Sequence, residues 1–260
     1  MDEFLTTRLG AERFEVAARP GSSDFWSAAK AGGWEPRTLR FLAAHCRPGA
    51  VFVDIGAWIG PLSLFAGRLG ARIIALEPDP VAFAELEANL KRNAIAARLL
   101  PAALHLDAGG LDLYAAGAFG DSETSSFAGR AGARRRTPSV TPAALEALIP
   151  EGHDVVLKVD VEGHEYLLGD ALAELWRRRR AVVHLSLHPR ALWARDREAA
   201  GDVAARWRAF RETLALLGKF RPARIVFTSA PVAPVALAAL VEAFRLSRPK
   251  NFSVEISPPL

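Results

Sequence analysis

Two short apolar runs in the first half of the chain each lead to an acidic residue and to a segment with helical spacing. Val51 to Ile55 contains Asp54 and precedes a helical pattern that begins near Pro61, and Arg72 to Leu76 leads to Glu77 and a second helical pattern. Alternating strands and helices with short connections are typical of a parallel sheet wound with helices. This alternation places the chain in the α/β class.

The alternation continues to the end of the chain. Further apolar runs lie at residues 98–103, 154–161, 181–187, 224–229 and 252–256, which brings the count to about seven strands. We predict a doubly wound, mostly parallel seven-stranded sheet with an antiparallel last strand, a Rossmann-like fold. We place this domain at residues 50–260 and an N-terminal helical segment at residues 1–49. From Ala115 to Thr141 the pattern stops, which predicts a long loop.

Composition excludes several classes of protein. Half of the residues are apolar, so the chain can bury a core and is not a disordered polymer. The single cysteine, Cys46, excludes an internal disulfide framework and a zinc site of several thiolates. No run reaches the roughly 18 apolar residues of a membrane span, and no secretory start is visible. We therefore expect a soluble, cytoplasmic protein.

The net charge of +4 permits anionic partners without requiring them. Arg134–Arg136 fall in the predicted loop, and Arg177–Arg180 fall at a predicted helix end, where cations favour the helix dipole. No nucleic-acid-binding pattern accompanies them, so we expect no nucleic-acid partner.

The loop after the first central strand reads Gly-Ala-Trp-Ile-Gly and carries the first ligand signal. Dinucleotide-binding loops read G-x-G-x-x-G, but here Trp58 stands at the middle glycine position, and Asp54 would repel a pyrophosphate. The same carboxylate suits the ammonium group of S-adenosylmethionine. Glu77 suits the two hydroxyls of a ribose. These residues favour S-adenosylmethionine over NAD, although Gly56 and Gly60 could also be ordinary turn glycines.

Four parts of the sequence resemble the FkbM family of methyltransferases. They are Val53 to Pro61, Leu76 to Pro80, the pair Asn89 and Asn93, and Leu157 to Glu165. The last is the most specific, because other class I methyltransferases lack its Lys-Val-Asp-Val-Glu-Gly-His-Glu run. The resemblance covers about residues 50–190. Many members have asparagine where Trp58 stands and glutamate near Ser186, so this chain departs from the family at both positions.

The resemblance implies a class I fold, S-adenosylmethionine as cofactor and O-methyl transfer, often to hydroxyls of sugars, glycans or natural products. It places the methionine end at Asp54 and Gly56, the ribose at Glu77, the adenine near Ala102 and the sulfonium near Asp160. The predicted cofactor-binding residues are Asp54, Gly56, Ala57, Trp58, Gly60, Glu77, Pro78, Ala102 and Asp160.

Methyl transfer to an alcohol needs a base or a metal, because an alcohol is a poor nucleophile at neutral pH. The predicted catalytic residues are Asp160, His164 and His188, and the predicted substrate-binding residues are Ser125, Ser126, Glu162 and Trp193. Ser125 and Ser126 belong to a serine-rich stretch common in the family and expected to fold over the site. We assign no metal, although Asp160, Glu162 and His164 could hold a divalent cation. Alternatively, Glu162 and His164 could simply cap a helix.

These observations predict an O-methyltransferase that acts on a small-molecule or carbohydrate acceptor. The alternatives are an N-methyltransferase and an NAD-type oxidoreductase on the same fold. The sequence leaves the acceptor and the oligomeric state open.

Overall fold

The computed structural model describes residues 4–17, 19, 21–115, 117–121, 124–126, 132–228, 234–244 and 249–259. Ser122 and Glu123 of the serine-rich stretch lie outside the described residues. In the described parts of the chain, no helix has the length and apolar character needed to cross a membrane.

The strands and helices are numbered in chain order. The strands are β1 (Phe4–Leu9), β2 (Glu12–Ala17), β3 (Val51–Ile55), β4 (Arg72–Leu76), β5 (Ala97–Leu100), β6 (Ala103–Leu104), β7 (Leu111–Tyr114), β8 (Arg134–Thr137), β9 (Ser139–Val140), β10 (Val155–Val159), β11 (Val182–Leu187), β12 (Arg224–Phe227) and β13 (Phe252–Ser257). The helices are α1 (Ser23–Lys30), α2 (Pro36–His45), α3 (Pro61–Arg68), α4 (Pro80–Arg92), α5 (Pro142–Glu146), α6 (Glu165–Arg179), α7 (Pro189–Ala200), α8 (Asp202–Gly218) and α9 (Val235–Phe244).

The central sheet has seven strands in the order β12-β13-β11-β10-β3-β4-β5. Strand β13 is antiparallel to both of its neighbours, and the other pairings are parallel. The predicted doubly wound sheet with an antiparallel last strand is confirmed. The chain runs outward from β3 through β4 to β5 and then returns to β10, so strand order reverses between β3 and β10. Doubly wound sheets bind ligands at such a reversal, beyond the carboxyl ends of the strands.

Both faces of the central strands are buried, which explains their continuous apolar runs. Val53 of β3 belongs to one buried cluster, and Phe52 belongs to another on the opposite face. The second cluster also contains Trp26 of α1 and Leu42 of α2. The N-terminal segment therefore covers one face of the sheet.

Residues 1–49, predicted as a helical segment, contain helices α1 and α2, but a β-hairpin of β1 and β2 precedes them. Two asparagines of α4 hold it in place. The buried Asn89 accepts a hydrogen bond from the Ala17 N–H at 2.7 Å and donates one to the Ile59 carbonyl at 2.9 Å. Asn93 bonds both backbone groups of Glu15, at 3.1 and 2.7 Å. These asparagines belong to the family resemblance, and their contacts here are with the hairpin.

Residues 115–141, expected to form one long loop, contain two short strands. Strand β8 pairs with β7, and β9 pairs with β6. The arginines of β8 are exposed and hide the strand pattern from the sequence; Arg134 donates to Asp112 of β7 at 2.7 Å. His105 follows β6 directly, so the pairing of β6 with β9 fixes its position. The His105 N–H donates a hydrogen bond to the Val140 carbonyl.

Candidate active site

A cavity of about 350 Å³ lies beyond the carboxyl ends of β3, β4 and β10, at the reversal of strand order. Most of the predicted site residues line it. These are Gly56, Ala57, Trp58, Glu77, Pro78, Ala102, Ser126, Asp160, Glu162 and His164. Asp54, Gly60, Ser125, His188 and Trp193 are not among its lining residues. Trp193 instead donates its indole N–H to Asp202 at 2.8 Å and lies under the Arg197 guanidinium.

The backbone conformation and the close packing at Gly56 both require glycine. Its backbone has a φ of +79°, and a Cβ added there would lie 1.9 Å from the carbonyl oxygen of Asp160. The turn after β3 therefore passes directly against the end of β10. Gly60, at φ +90°, packs against Leu86 of α4, where a Cβ would lie 2.6 Å from a side-chain methyl group. Both glycines serve close packing around the cavity.

Glu77 follows β4 and presents its carboxylate to the cavity. One oxygen accepts a hydrogen bond from the Trp58 N–H at 2.7 Å, and the other accepts one from the Asp79 N–H at 2.8 Å. Burial raises the pKa of Glu77 to about 7, although these two bonds oppose the increase. Each carboxylate oxygen keeps a second lone pair for a ligand hydroxyl.

Asp54 is fully buried and faces Lys158 instead of the cavity. It accepts a hydrogen bond from Ser63 at 2.7 Å, and its other oxygen lies 3.5 Å from Lys158 Nζ. Lys158 lines the cavity, donates to the Gly56 carbonyl at 2.6 Å and lies 3.9 Å from Asp160. The charged group at this point of the cavity is therefore Lys158, and Asp54 lies behind it. The sequence pattern did not assign Lys158 to the site.

The remaining electrostatics of the cavity are acidic. Burial lowers the pKa of Lys158, but the coulombic effect of Asp54 and Asp160 outweighs it, so the net shift is upward and the amine stays charged. Burial would raise the pKa of Asp160, but Lys158 and His188 hold it well below its ordinary value. The carboxyl groups among the described lining residues are Glu35, Glu77, Asp121, Asp160 and Glu162, against the one cationic side chain of Lys158. This balance suits a cationic ligand and repels a pyrophosphate.

The N-terminal segment contributes a wall to this cavity that the sequence pattern did not predict. The rings of Phe25, Trp34 and Trp58 meet edge to face, with centroids 5.1 and 4.6 Å from that of Phe25. Glu35 lies beside them with a φ of 39°, and burial raises the pKa of its carboxyl group. A non-glycine residue held in this backbone region is frequently functional.

The segment of residues 117–126, in its described parts, lies across the cavity. The Trp58 indole N–H donates to the Gly120 carbonyl at 3.0 Å, and Asp79 accepts from the Gly120 N–H at 2.6 Å. The buried Ser125 donates to the Glu162 carbonyl at 2.8 Å. Ser125 therefore anchors the segment, whereas Ser126 faces the cavity.

His164 lies at the N-cap of α6 but makes no side-chain capping bond. Its Nδ1 lies 2.7 Å from Ser126 Oγ, and its Nε2 lies 3.1 Å from His105 Nδ1. Burial and the neighbouring His105 lower the pKa of His164 to about 4. The imidazole is therefore neutral at physiological pH. In the same turn, the Gly163 N–H donates a hydrogen bond to the Glu165 carboxylate at 2.9 Å.

His188 lies behind Asp160 among three carboxylates. Its Nδ1 lies 3.0 Å from Glu165, and its Nε2 lies 3.3 Å from Asp160 and 3.4 Å from Glu162. Burial lowers the pKa of His188, but these carboxylates outweigh it and raise the pKa well above its ordinary value. Asp160, Glu162 and His188 hold three ligand atoms within 4.8 Å of one another. The cation set suggested by the sequence, with His164 as its third member, does not assemble, because His164 contacts Ser126 and His105.

A comparison with known protein families shows to which family the chain belongs. The methyltransferase FkbM domain matches residues 51–212, which is more than half of the chain. The chain belongs to the FkbM methyltransferase family. The resemblance carried by the Lys158–Glu165 run is confirmed, and S-adenosylmethionine is the cofactor that this family implies.

Curated relatives of this FkbM-family protein match only parts of it. The ribosomal protein L11 methyltransferase of Thermus thermophilus is 31% identical over 116 residues, which is 44% of this chain and 40% of the relative. The 31-O-demethyl-FK506 methyltransferase FkbM of Streptomyces tacrolimicus is 45% identical over 65 residues, which is 24% of this chain and 25% of the relative. The chain thus spans less than half the length of each relative.

A solved structure of a methyltransferase FkbM from Methylobacillus flagellatus is 13% identical, with a TM-score of 0.44 over 84% of this chain and 50% of the other. The fold assignment rests on the strand order described above and not on this overlap. The family match begins at Val51, so Phe25, Trp34 and Glu35 of the cavity wall lie outside it.

Proposed function

We propose that the protein transfers a methyl group from S-adenosylmethionine to a hydroxyl group of a small-molecule or carbohydrate acceptor. The observation that carries this proposal is the acidic cavity that joins Glu77 to a neutral, buried histidine, His164. The first suits the ribose of the cofactor, and the second suits the removal of a hydroxyl proton.

The residues of the cavity fit the cofactor. When bound, S-adenosylmethionine supplies a methyl group on a positively charged sulfur, and the excess of carboxylates favours that charge. Glu77 would accept the ribose hydroxyls, and Lys158 would pair with the methionine carboxylate. Glu35 and Asp160 would face the ammonium. The apolar Ala102–Leu104 stretch would lie against the adenine.

His164 is the base that the geometry favours. Its Nδ1 lies 2.7 Å from the Ser126 hydroxyl of the cavity, and a pKa of about 4 keeps the ring unprotonated but also makes it a weak base that must pass the proton on. His188 is already surrounded by three carboxylates and holds its proton, so it orients Asp160 and Glu162. Ser126 and His164 both line the cavity, and the Ser126 hydroxyl, 2.7 Å from His164 Nδ1, can pass a proton to it.

The aromatic wall supports a ring-shaped acceptor. Phe25, Trp34 and Trp58 offer flat apolar surface beside polar groups, as sites for sugars and for macrocyclic natural products do. The relative from Streptomyces tacrolimicus is a methyltransferase of 31-O-demethyl-FK506. A protein acceptor is the second candidate, because the Thermus relative is a ribosomal protein L11 methyltransferase.

Transfer of a deuterated methyl group tests this proposal. The protein is incubated with deuteromethyl S-adenosylmethionine and a panel of methyl glycosides, macrolactone alcohols and ribosomal protein L11, and the products are analysed by mass spectrometry. We expect label on an oxygen of a glycoside or macrolactone, and loss of at least 100-fold in rate for His164→Gln. His153→Gln, on the surface away from the cavity, is the control. Label on nitrogen of L11 alone would replace the hydroxyl acceptor with an amine.

Glu77→Gln is expected to weaken S-adenosylhomocysteine binding by about 10- to 100-fold, because a hydrogen bond to a charged group contributes about 1.5–3 kcal/mol. The pKa of about 7 adds a pH dependence. Below pH 7 one oxygen carries a proton and accepts less well, so wild-type affinity should rise from pH 6 to pH 8. The variant should lack this rise in calorimetry, and the exposed Glu87→Gln should keep it. A variant with wild-type affinity at pH 8 would remove the ribose role.

A further inference from the structure

Four side chains form a continuous path from the cavity to the surface. Ser126 lines the cavity and lies 2.7 Å from His164 Nδ1, whose Nε2 lies 3.1 Å from His105 Nδ1. On its far side, His105 Nε2 lies 3.6 Å from a carboxylate oxygen of Asp107. Exposure rises along the path, since the His105 side chain is 19% exposed and that of Asp107 is 71% exposed.

The position of Asp107 selects one direction for the hydrogens of this path. If Ser126 donates to His164 Nδ1, then His164 Nε2–H donates to His105 Nδ1, and His105 Nε2–H points at Asp107. The reverse arrangement would place an unprotonated His105 nitrogen 3.6 Å from the Asp107 carboxylate, where the lone pair and the negative charge repel each other. The favoured arrangement points every hydrogen from the cavity toward solvent.

We propose that His105 carries the proton of the acceptor hydroxyl from His164 to solvent beside Asp107. This inference rests on the proposed function. The methyl transfer forms an O–C bond, breaks an S–C bond and releases one proton. That proton reaches His164 Nδ1 through Ser126, the Nε2–H proton of His164 moves to His105 Nδ1, and the Nε2–H proton of His105 leaves to water. His105 therefore acts through His164 and does not touch the acceptor.

Burial at His164 explains why such an exit is useful. The pKa of about 4 means that a proton kept on this ring is held poorly. Passing it on to the more exposed His105 avoids a charged imidazolium beside the cavity. Charged groups that line the same cavity as His164 include Asp160, Glu162 and Lys158, and Glu165 follows His164 in α6.

Histidine NMR tests the path without an acceptor. In the protein saturated with S-adenosylhomocysteine at pH 7.5, nitrogen-15 spectra report which ring nitrogen of each histidine carries hydrogen. We expect hydrogen on Nε2 of both His164 and His105. Hydrogen on Nδ1 of His164 would overturn the proposal, because the path would then point inward.

Two substitutions separate proton transfer from orientation. His105→Asn keeps an oxygen that can accept from His164 Nε2–H but cannot pass a proton on, and His105→Ala leaves space for free imidazole. We expect both to lower turnover on the panel above by about 10- to 100-fold, with unchanged affinity for S-adenosylhomocysteine. Added imidazole should restore His105→Ala at least tenfold, and His153→Asn should behave as wild type.

The outcomes distinguish this inference from the function on which it rests. Full turnover in His105→Asn, or no imidazole rescue in an otherwise intact His105→Ala protein, would overturn the proton path alone. Full turnover in His164→Gln would overturn the base assignment and the path together. If the panel contains no acceptor, the hydroxyl proposal fails, and the histidine spectra still decide the direction of the path.

Discussion

Gly56→Ala is expected to lower the free energy of unfolding by about 3 kcal/mol and to weaken S-adenosylhomocysteine binding by at least 100-fold. The added Cβ would lie 1.9 Å from the Asp160 carbonyl oxygen, in a backbone with φ +79°. Either the turn after β3 or the end of β10 must move. Both carry residues of the cavity, so binding and stability should fall together in calorimetry and urea denaturation.

Gly152→Ala is the matched control. Its φ is +75°, but an added Cβ would meet nothing within 4 Å. It therefore imposes the same backbone strain without the collision and should cost about 1 kcal/mol, with unchanged binding. Equal losses of stability in the two variants would show that the contact with Asp160 does not limit this position.

Lys158→Met is expected to lower the free energy of unfolding by about 3–5 kcal/mol, because it leaves the buried charge of Asp54 without its partner. It also removes the bond to the Gly56 carbonyl. The double variant Asp54→Asn/Lys158→Met should be more stable than the sum of the single losses by at least about 1 kcal/mol, since no unpaired carboxylate remains.

Lys91→Met, at an exposed position in the last turn of α4, provides the control and should change stability by less than about 0.5 kcal/mol. Strict additivity of the Asp54 and Lys158 substitutions in urea denaturation would mean that the two groups do not depend on each other. The arrangement inferred for this end of the cavity would then be wrong.

The seven strands could be predicted from the sequence because each is a short apolar run between turn residues, and the central strands β3 and β10 are buried on both faces. The glycine loop, Glu77 and the Lys158–Glu165 run also follow local patterns, and the structure brings most of these residues to one cavity. The hairpin of β1 and β2 was missed, because the first fifty residues carry no uniform pattern. Strand β8 was also missed, because its exposed arginines give no apolar pattern.

Contacts between distant segments could not be predicted. Lys158 lies beside Asp54 because β3 and β10 pair with these two residues in register. The register of two strands that are distant in the chain cannot be read from the sequence of either strand. His105 reaches His164 only through the pairing of β6 with β9. The sequence offers both His164 and His188 as candidate bases, His164 first, and only their surroundings separate a neutral imidazole from a charged one.

Calorimetry of the unmodified protein with S-adenosylhomocysteine and with NAD tests the central claim most directly. The acidic cavity and the ribose role proposed for Glu77 predict that S-adenosylhomocysteine binds with micromolar or tighter affinity and that NAD gives no measurable heat at the same concentrations. Tight binding of NAD with no response to S-adenosylhomocysteine would contradict the account.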